Sequence, residues 1–563
     1  MTPKTIDQAL SVSEQINADD IAAIATSGFK SIICNRPDGE GADQPVFAEI
    51  EAAAKSAGLI AAYQPIVSGK VGDEDALAFG KLMDALPKPV FAYCRTGTRS
   101  TTLWSLSEGA RGRALPTILA TAKAAGYDMT GVVRRIANGG KTPTDVAEAT
   151  HEVVIIGGGA AGIAVASSLK ARKPDLDIAL IDPADIHYYQ PGWTMVGGGI
   201  FDPATTAKTM ASLIPDGVRW IKAAVAAFEP DNKAIILDGC RVVKYRSLIV
   251  VPGLKLNWAG IEGLSETLGR NGVTSNYRYD LAPYTWELVQ GLRKGRAVFT
   301  QPPMPIKCAG APQKALYLSA DYWFRNGDIK NIEIDFFNAG PVLFGVKEYV
   351  PALMEYIKRY DAHLHFQHRL TRIDGPARKA WFTKTDADGA QSTVETNFDM
   401  IHVAPPQVAP DFVRVSPLAD AAGWVDVDQG TLRHKTLEGI YSLGDVCNAP
   451  NAKTAAAARK QAPIVAHNLL KDMGVITGGD AIYDGYGSCP LTVERGKIVL
   501  AEFGYGGKLL PSFPSWLIDG AKPSHLAWLL KERMLPPIYW QAMLKGREWM
   551  AKPQTSLSPE HGG

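Results

Sequence analysis

The sequence has no apolar stretch long enough to span a bilayer, so it predicts no transmembrane helix. Its opening residues, MTPKTIDQALSVSEQ, lack a basic start followed by an apolar run, so we expect no secretory signal peptide. Basic and acidic residues nearly cancel, 59 against 58, which gives no reason to expect a nucleic acid partner. The 563 residues, 46% of them hydrophobic, therefore predict a globular protein with several cores.

Cysteine is also scarce. The chain has six cysteines, and none lies in a CxxC pair or a His/Cys cluster. This spacing excludes the usual zinc sites, so we predict no metal. A lone cysteine is most often a small buried hydrophobe, which is our expectation for Cys34 and Cys240. The chemistry of the other four depends on their neighbours in the chain.

Composition and pattern divide the chain into four segments. Residues 1–137 alternate apolar runs with helical ones, which predicts a small α/β domain. Residues 138–150, rich in Gly, Thr and charge, predict a linker. A second β-rich pattern fills residues 151–507, and residues 508–563 form a tail rich in Pro, Trp and Leu.

A dinucleotide-binding fingerprint opens the second segment. HEVVIIGGGAAGIAVASSLK predicts a buried strand, the turn Gly157-x-Gly159-x-x-Gly162 and a helix. The next strand ends at Asp182, 20 residues after Gly162, where a carboxylate can bind ribose hydroxyls. The glycines allow close backbone approach to a pyrophosphate, and the helix N-terminus faces its charge.

Two later motifs indicate FAD as the nucleotide. GIYSLGDV, which contains Gly444 and Asp445, resembles the second FAD motif of two-dinucleotide-binding flavoproteins, whose Asp contacts the ribityl-phosphate region. SLIVVPG resembles their intermediate motif. In the second Rossmann-like unit, IEIDFFNAGPVLFG provides a strand but no GxGxxG, and Pro341 removes a backbone donor. We therefore predict that NAD(P)H is not the regular electron partner.

Two cysteines are candidates for the redox site. Cys308 lies in PIKCAGAPQKALYLSA, between a Pro-rich loop and a predicted helix. Cys447 follows Gly444-Asp445-Val446, at a strand end expected to face the isoalloxazine. A helix N-terminus near either sulfur would favour the thiolate.

Six motifs between His151 and Met550 carry a family resemblance: HYYQPGWTMVGGG, IKCAGAPQKALYLS, SPLADAAGWVDVD, NAKTAAAA, YDGYGSCPL and LPPIYW. Together they resemble sulfide:quinone oxidoreductase of the mitochondrial-like branch, which bacteria also contain. The resemblance implies oxidation of hydrogen sulfide to a protein-bound persulfide, with FAD passing two electrons to a membrane quinone.

The resemblance also implies roles for individual residues. Cys308 would be the thiol next to the flavin, and Cys447 would take the attacking sulfide. Gln190 in HYYQPGW and Lys453 in NAKTAAAA would contact the cofactor. One departure is that the second cysteine of close relatives follows Gly-Asp immediately, whereas Val446 intervenes here. Cys489 in YDGYGSCPL also matches a family motif and is interpreted as structural.

The tail predicts an amphipathic membrane-associated helix. Its apolar positions are Leu526, Leu529, Leu530 and Met534 and, after two prolines, Tyr539, Trp540, Met543 and Leu544. The basic residues interleaved with them are Lys531, Arg533, Lys545 and Arg547. Apolar faces bordered by basic residues suit a helix lying in one leaflet, although such stripes also form core or dimer interfaces.

The N-terminal segment contains a reactive-cysteine loop, YCRTGTRS. Cys94 at a strand end, Arg99 and the helix that follows would cradle an anion over the sulfur. Four residues separate Cys94 from Arg99, as in rhodanese loops, whereas phosphatases have five. The surrounding LSVSEQINADDIAAIATSGFKSIICNRPDGE resembles a phosphatase-like family of dual-specificity-phosphatase fold that also contains sulfurtransferase domains. Sulfurtransferase is favoured, and a phosphatase or an inert docking module remains open; Asp38, Asp73 and Asp75 are possible phosphatase acids.

The predicted fold class is α/β: a dual-specificity-phosphatase-like domain, two Rossmann-like dinucleotide-binding domains of FAD type, and an amphipathic helical tail. The predicted function is sulfide oxidation with FAD and a membrane quinone, followed by transfer of sulfane sulfur through Cys94 to a small thiol or sulfite. The alternative is an NAD(P)H-dependent disulfide or persulfide reductase fused to a tyrosine-phosphatase-like domain. We expect a peripheral protein on the cytoplasmic face of a bacterial inner membrane, possible as a homodimer.

Overall fold

The structure is a computed structural model that describes residues 3–41, 44–67, 71–113, 115–129, 132, 148–238 and 241–555 of the 563. These residues form three α/β units with separate apolar cores, and a C-terminal segment that packs against the second and third units. No helix within the described ranges combines the length and the apolar character needed to cross a bilayer. The order of the units matches the predicted fold class.

The N-terminal unit is built on a five-stranded sheet. The runs SIIC and VFAY are buried along their whole length, as expected for central strands of a parallel sheet. In sheet order the strands are Lys4–Thr5, Leu10–Ser13, Val90–Tyr93, Ser31–Cys34 and Ile60–Tyr63, parallel except for the first pair. The helices are Ile21–Thr26, Phe47–Ser56, Asp73–Ala85, Thr98–Ala110 and Leu115–Ala124. The loop after the central strand Val90–Tyr93 carries Cys94.

The second unit contains the glycine fingerprint. Its first strand begins at Glu148, inside the expected linker, and residues 138–147 of that linker lie outside the described residues. In sheet order the strands are Val218–Ile221, Ile178–Ile181, Glu148–Ile156, Val242–Val250, Ala234–Leu237 and Val225–Glu229, with Ile440–Ser442 paired to Val242–Val250. The principal helices are Ala160–Arg172 and Ala455–Asp472. The carboxyl ends of parallel strands therefore bring the fingerprint close to the residues after Ser442.

The third unit has a parallel sheet with helices packed on it. In sheet order the strands are Val273–Thr274, Met400–His402, Gly295–Gln301, Ile332–Asn338 and Ala362–Phe366. The helices are Ala282–Gly291, Ala311–Asn326 and Val350–Arg359, with shorter ones at Trp193–Val196 and Leu264–Thr267, whereas the short helix Asp411–Arg414 packs on the second unit. A hairpin, Gly487–Glu494 with Lys497–Phe503, packs against the helix Ala311–Asn326. This packing places Cys489 beside the loop that carries Cys308.

Smaller antiparallel elements complete the second and third units. They are the three-stranded sheet His368–Asp374, Lys379–Thr385 and Gln391–Asn397, and the pairs Ile186–Tyr188 with Ala207–Thr209 and Lys255–Leu256 with Gln407–Val408.

The C-terminal segment is helical, as predicted, but it is not one regular α-helix. From His525 to Lys545 it consists, without a break, of the α-helices His525–Leu529 and Leu535–Pro537, the π-helical turns Leu530–Met534 and Ile538–Ala542, and the 3₁₀ turn Met543–Lys545. Its second apolar group, which includes Tyr539 and Trp540, is buried in the core of the second unit. The phenol of Tyr539 lies 2.6 Å from Nε2 of His187. This group is therefore core, and its apolar spacing alone could not distinguish core from membrane contact.

Candidate functional site

The glycine fingerprint forms a strand–turn–helix cradle. Gly157 has φ +106°, and a side chain there would meet Val251 O at 2.4 Å. A Cβ on Gly162 would lie 1.8 Å from Gly157 O, so only glycine allows the helix to pack on the turn. Gly159 caps the helix Ala160–Arg172, and an Asp182 oxygen accepts a hydrogen bond from Gly158 N at 2.6 Å. This backbone geometry fits a dinucleotide pyrophosphate with its ribose near Asp182.

A second polar cluster lies after the strand Ile440–Ser442. Lys453 Nζ donates to the carbonyls of Asp445 and Cys447, each at 2.8 Å. Lys307 Nζ donates to Gln190 Oε1 at 2.5 Å and forms a 3.1 Å ion pair with Asp445. The structure thus brings together Gln190, Asp445 and Lys453, which lie far apart in the sequence. Lys307 was missed, although its position next to Cys308 was a usable signal.

A buried amide beside this cluster fits a bound cofactor. Gln461 Oε1 accepts a hydrogen bond from Gly444 N at 2.8 Å, and Gly444 has φ +72°. The Nε2 of Gln461 is buried and has no partner among the residues that the structure describes. Buried amide donors are rarely left unpaired, so this donor fits a ligand that brings hydrogen-bond acceptors.

Cys308 lies directly next to that cluster. Its backbone N–H donates to Lys453 O at 2.9 Å, and Tyr277 donates to the neighbouring Lys307 O. Its Sγ lies 3.4 Å from Cys489 Sγ and 3.1 Å from Lys314 Nζ. The sequence placed Cys308 correctly at the start of a helix, Ala311–Asn326, which also contributes the lysine. Its thiol neighbour, however, is Cys489, which sequence reasoning interpreted as structural.

The charges of this thiol site are asymmetric. The hydrogen bond from Cys489 and the ammonium of Lys314 outweigh burial and hold the pKa of Cys308 well below its ordinary value. The same hydrogen bond, together with burial, raises the pKa of the Cys489 thiol. Burial works against the charge of Lys314, but the two sulfurs outweigh burial and raise its pKa. The site therefore pairs the Cys308 thiolate with the Lys314 ammonium, and the Cys489 thiol donates a hydrogen bond to that thiolate.

A second lysine reaches this site from the C-terminal segment. Lys531 is 5% exposed, and its Nζ donates to Pro490 O at 3.3 Å. Burial and the charge of Lys314 lower its pKa well below the ordinary value. The apolar and basic pattern of the tail predicted Lys531 at a membrane surface, whereas this lysine is buried in the structure.

Cys447 occupies a different environment. It is fully buried, and its thiol donates to Gly444 O at 3.3 Å. Burial raises the pKa of this thiol. Gly444–Val446 forms a tight turn, and the extra residue Val446 is buried as well. The geometry therefore does not support the expectation that Cys447 is the sulfur partner of Cys308. Cys34 is buried as expected, and Cys240 lies outside the described residues.

The N-terminal loop forms a compact cradle around Cys94. Cys94 is 1% exposed, and its N–H donates to Ser13 O at 3.3 Å. Gly97 has φ +81°, and a Cβ there would lie 2.1 Å from the Tyr127 hydroxyl. The helix Thr98–Ala110 then begins with its N-terminus at the loop, the arrangement that binds anions.

Arg99 is held by an acidic residue. Its two terminal nitrogens donate to Glu40 at 2.8 and 2.6 Å, and one also donates to Ile66 O. Burial alone would raise the pKa of Glu40, but Arg99 and Arg36 outweigh burial and hold that pKa low. The guanidinium is thus oriented by a charged bidentate contact. Of the possible phosphatase acids, Asp38 accepts from Phe47 N and Asp75 from Gly72 N, so both carboxylates stabilise local turns.

The Cys94 loop faces the second unit. Arg95 forms ion pairs with Glu229 at 2.7 Å and with Asp231 at 3.3 Å. A cavity between the two units is lined on one side by Thr96, Thr98 and Arg99. Its other side includes Ala227, Glu229 and Leu237.

Comparison with known proteins separates the two halves of the chain. Residues 3–111 match the family described as "Beta-lactamase hydrolase-like protein, phosphatase-like domain", and residues 151–285 match "Pyridine nucleotide-disulphide oxidoreductase". The Beta-lactamase hydrolase-like protein of Agrobacterium fabrum is 37% identical over 108 residues, which are 19% of this chain and 25% of that protein.

The C-terminal part of the chain matches its relatives over most of the relatives' length. The mitochondrial sulfide:quinone oxidoreductase of Dictyostelium discoideum is 42% identical over 405 residues, 71% of this chain and 87% of that protein. The solved sulfide:quinone oxidoreductase of Aquifex aeolicus, 20% identical, superposes with a TM-score of 0.59 and covers 71% of this chain and 92% of that one. FAD is the cofactor of this class of flavoprotein, and the two clusters described above fit it. The chain belongs to the sulfide:quinone oxidoreductase family, with a phosphatase-like domain at its N-terminus.

Proposed function

We propose that this protein oxidises hydrogen sulfide and reduces a membrane quinone. The observation that carries the proposal is the position of Cys308, a thiol stabilised as thiolate by Lys314 and bonded through its backbone to Lys453 in the FAD cluster. The thiolate is the form that acts as nucleophile and as leaving group in thiol–disulfide chemistry, and the lowered pKa of Cys308 favours that form. Family membership supports the same substrates.

The reaction balances with a small thiol or sulfite as sulfur acceptor. With a thiol RSH, H₂S and quinone give RSSH and quinol, so the two electrons of sulfide sulfur pass to the quinone. FAD, when bound, carries these two electrons between the thiol site and the quinone. The protein holds the thiolate at the half-buried Cys308 and neutralises its charge with the buried Lys314.

The third unit gives no support to an NAD(P)H reductase. The loop after the strand Ile332–Asn338 is closed by its own amide, because Asn338 accepts from Gly340 N and donates to Val342 O, each at 2.8 Å. No helix starts at this turn; the next one, Val350–Arg359, begins after a further eight-residue stretch and a 3₁₀ turn. The pyrophosphate cradle found at Gly157 is therefore not repeated here.

The C-terminal segment offers an apolar surface for a lipid-dissolved quinone. Its exposed large apolar residues are Leu509, Trp516, Leu517, Leu526, Met534, Trp549 and Met550. Trp516 is 83% exposed, which is unusual for tryptophan in water and suits the interface of a membrane. We propose a peripheral protein at the cytoplasmic face of a bacterial inner membrane, attached through this segment.

For the N-terminal domain we propose transfer of sulfane sulfur through Cys94. The four-residue spacing to Arg99 and the attached sulfide-oxidising unit support this role. Arg99, oriented by Glu40, would hold the anionic acceptor or donor at the loop. A phosphatase is the second candidate, because the matching family is described as phosphatase-like. Aryl phosphate hydrolysis that is lost in Cys94→Ser would establish the phosphatase.

The first test is an anaerobic titration of the purified full-length protein with sulfide while the flavin spectrum is recorded. We expect bleaching or a long-wavelength charge-transfer band, and reoxidation when a soluble quinone analogue is added. NADH serves as the matched control and should leave the flavin oxidised. An oxidised spectrum that sulfide does not change would remove the proposal, and bleaching by NADH would favour the reductase alternative.

A further inference from the structure

We infer that the second unit closes the mouth of the Cys94 loop and limits this site to small, freely diffusing anions. Arg95, the residue directly after Cys94, pairs with Glu229 of the second unit at 2.7 Å and with Asp231 at 3.3 Å. The inference goes beyond the proposed function, because it holds whether Cys94 transfers sulfur or hydrolyses a phosphate ester.

The ion pair at Arg95 is mostly enclosed between the two units. The side chain of Arg95 is 15% exposed, and that of Glu229 only 5%. A carboxylate buried this deeply needs a compensating cation, and Arg95 supplies one from the other unit. The charge of Arg95 is thereby committed to the second unit, so it is not available to attract a phosphorylated protein to the loop.

A second contact connects the same loop to the second unit. The hydroxyl of Tyr127 donates to Thr96 O at 3.2 Å, which fixes the backbone of the loop. The preceding residue, Gly126, faces Arg414 of the second unit, since a Cβ on this glycine would lie 4.0 Å from Arg414 Nη2. The loop is therefore joined to the second unit at two places, through Arg95 and through Tyr127.

The cavity between the units includes the arginine of the anion loop. Arg99 lines it from the N-terminal unit, and Glu229 and Leu237 line it from the second unit. Ligand cavities are common where two domains meet, because each domain then supplies one wall. Arg99 thus lies in a space that the second unit closes.

Burial of the loop sets the size of what can reach it. Every residue from 94 to 100 is buried except Arg95, which is half-buried, and Cys94 is 1% exposed. A small anion needs only a brief local opening to reach the loop, whereas a residue on a folded protein needs the two units to separate. The second unit therefore determines specificity at Cys94 by excluding proteins.

Access to Cys94 can be measured by labelling the reduced full-length protein, independently of turnover. The protein is treated with N-ethylmaleimide or with a maleimide attached to a long polyethylene glycol chain. Mass spectrometry then follows the loss of the unlabelled peptide that contains Cys94. We expect the polymer to react with Cys94 at least about a hundredfold more slowly than the small maleimide. Equal rates with the two maleimides would overturn the inference.

Weakening the contact from the second unit should open the site. Glu229→Gln with Asp231→Asn should raise the rate of the polymer relative to the small maleimide about tenfold, because Arg95 loses both carboxylate partners. The ratio of the two rates cancels any change in the reactivity of the thiol itself. Asp185→Asn, which removes a surface ion pair inside the second unit, is the matched control.

A variant on the other side of the contact keeps the test independent of how well the double variant folds. Arg95→Glu places like charges opposite each other and should raise the same ratio at least as much. A ratio that stays at the wild-type value in both the double variant and Arg95→Glu would overturn the inference. Removal of phosphate from a folded phosphoprotein by the wild type, lost in Cys94→Ser, would overturn it as well.

The labelling experiment also separates this inference from the proposed function. If the polymer is excluded from Cys94 but neither sulfane sulfur transfer nor aryl phosphate hydrolysis depends on Cys94, the proposed function of the N-terminal domain fails and the inference stands. If sulfur transfer depends on Cys94 but both maleimides label it equally fast, the inference fails and the proposed function stands.

Discussion

The chain carries two reactive-cysteine sites that handle charge in opposite ways. At Cys308 a cation contacts the sulfur directly, since Lys314 Nζ lies 3.1 Å from Sγ. At Cys94 the nearby cation, Arg99, is instead bound to Glu40, and the cysteine loop leads into the N-terminus of the helix Thr98–Ala110. The first arrangement stabilises a thiolate next to a second thiol, and the second arrangement receives an anion. Under the proposed function, the same type of side chain would serve electron transfer in one unit and group transfer in the other.

Replacing each cysteine with serine should have the largest effect on activity and should show that the two sites act separately. Cys308→Ser should lower sulfide-dependent quinone reduction about a thousandfold or more, because the hydroxyl forms neither thiolate nor disulfide. Cys94→Ser should leave flavin bleaching by sulfide unchanged and abolish the transfer of sulfane sulfur to sulfite. Both rates are measured on the same preparations. Loss of flavin bleaching in Cys94→Ser would contradict the separation.

Substitution of Arg99 in the Cys94 loop should have the next largest effect on activity. Arg99→Lys should lower the activity of the N-terminal domain about a hundredfold, since lysine cannot reproduce a bidentate contact with Glu40 and an anion together. Arg95→Lys is the matched control, because Arg95 points to Glu229 and Asp231 in the second unit. Sulfur transfer and aryl phosphate hydrolysis are both assayed. Because both substitutions keep the positive charge, equal losses in the two variants would show that the bidentate contact of Arg99 has no special role.

Substitution of Lys314 removes the cation that contacts Cys308 and leaves both cysteines in place. Lys314→Met should raise the pKa of Cys308 and slow its alkylation by iodoacetamide in the reduced protein about tenfold at neutral pH. The profile of rate against pH should move to higher pH, because the thiolate then loses its ammonium partner. Lys531→Met should move the profile less, since burial already lowers the pKa of that amine. An unchanged profile in Lys314→Met would mean that the hydrogen bond from Cys489, and not the ammonium of Lys314, lowers the pKa of Cys308.

The features visible in the sequence are the local ones. The fingerprint at Gly157 and the loop at Cys94 each combine strand, turn and helix within one short segment, so their geometry follows from neighbouring residues. Cys308 was placed at a helix start for the same reason. These parts of the fold could be predicted without tertiary information.

The partners of those residues could not be predicted, because they depend on packing across the chain. Cys489 reaches Cys308 only through a hairpin seated on the helix Ala311–Asn326, and Glu40 reaches Arg99 from 59 residues away. The tail shows the same limit: Tyr539 and Leu526 follow one apolar rhythm, yet the first is 4% exposed and the second 48%. Periodicity marks an apolar face, but it does not say what covers that face.

The exposed part of the tail should affect membrane binding moderately. Trp516→Ser with Leu517→Ser should weaken sedimentation with vesicles of zwitterionic and anionic phospholipid roughly three- to tenfold, because less apolar surface enters the leaflet. Val67→Ser, another exposed apolar residue but in the N-terminal unit, is the matched control. Activity with a water-soluble quinone should not change. Undiminished sedimentation of the double variant would place the membrane contact elsewhere.

The smallest effect concerns the cost of the second lysine. The folded protein lowers the pKa of Lys531 through burial and Lys314, so between that lowered pKa and the ordinary value of 10.5 the unfolded chain binds more protons. The free energy of unfolding therefore rises with pH across this window, and at pH 7 the buried charge of Lys531 lowers it. Lys531→Met should raise the Tm of the flavoprotein transition by roughly 2–4 °C at pH 7, with a gain that shrinks toward pH 10.5. Lys497→Met, a half-exposed lysine of the hairpin, should show no such trend. A gain in Tm that does not depend on pH would mean that Lys531→Met stabilises the protein through packing and not through removal of a buried charge.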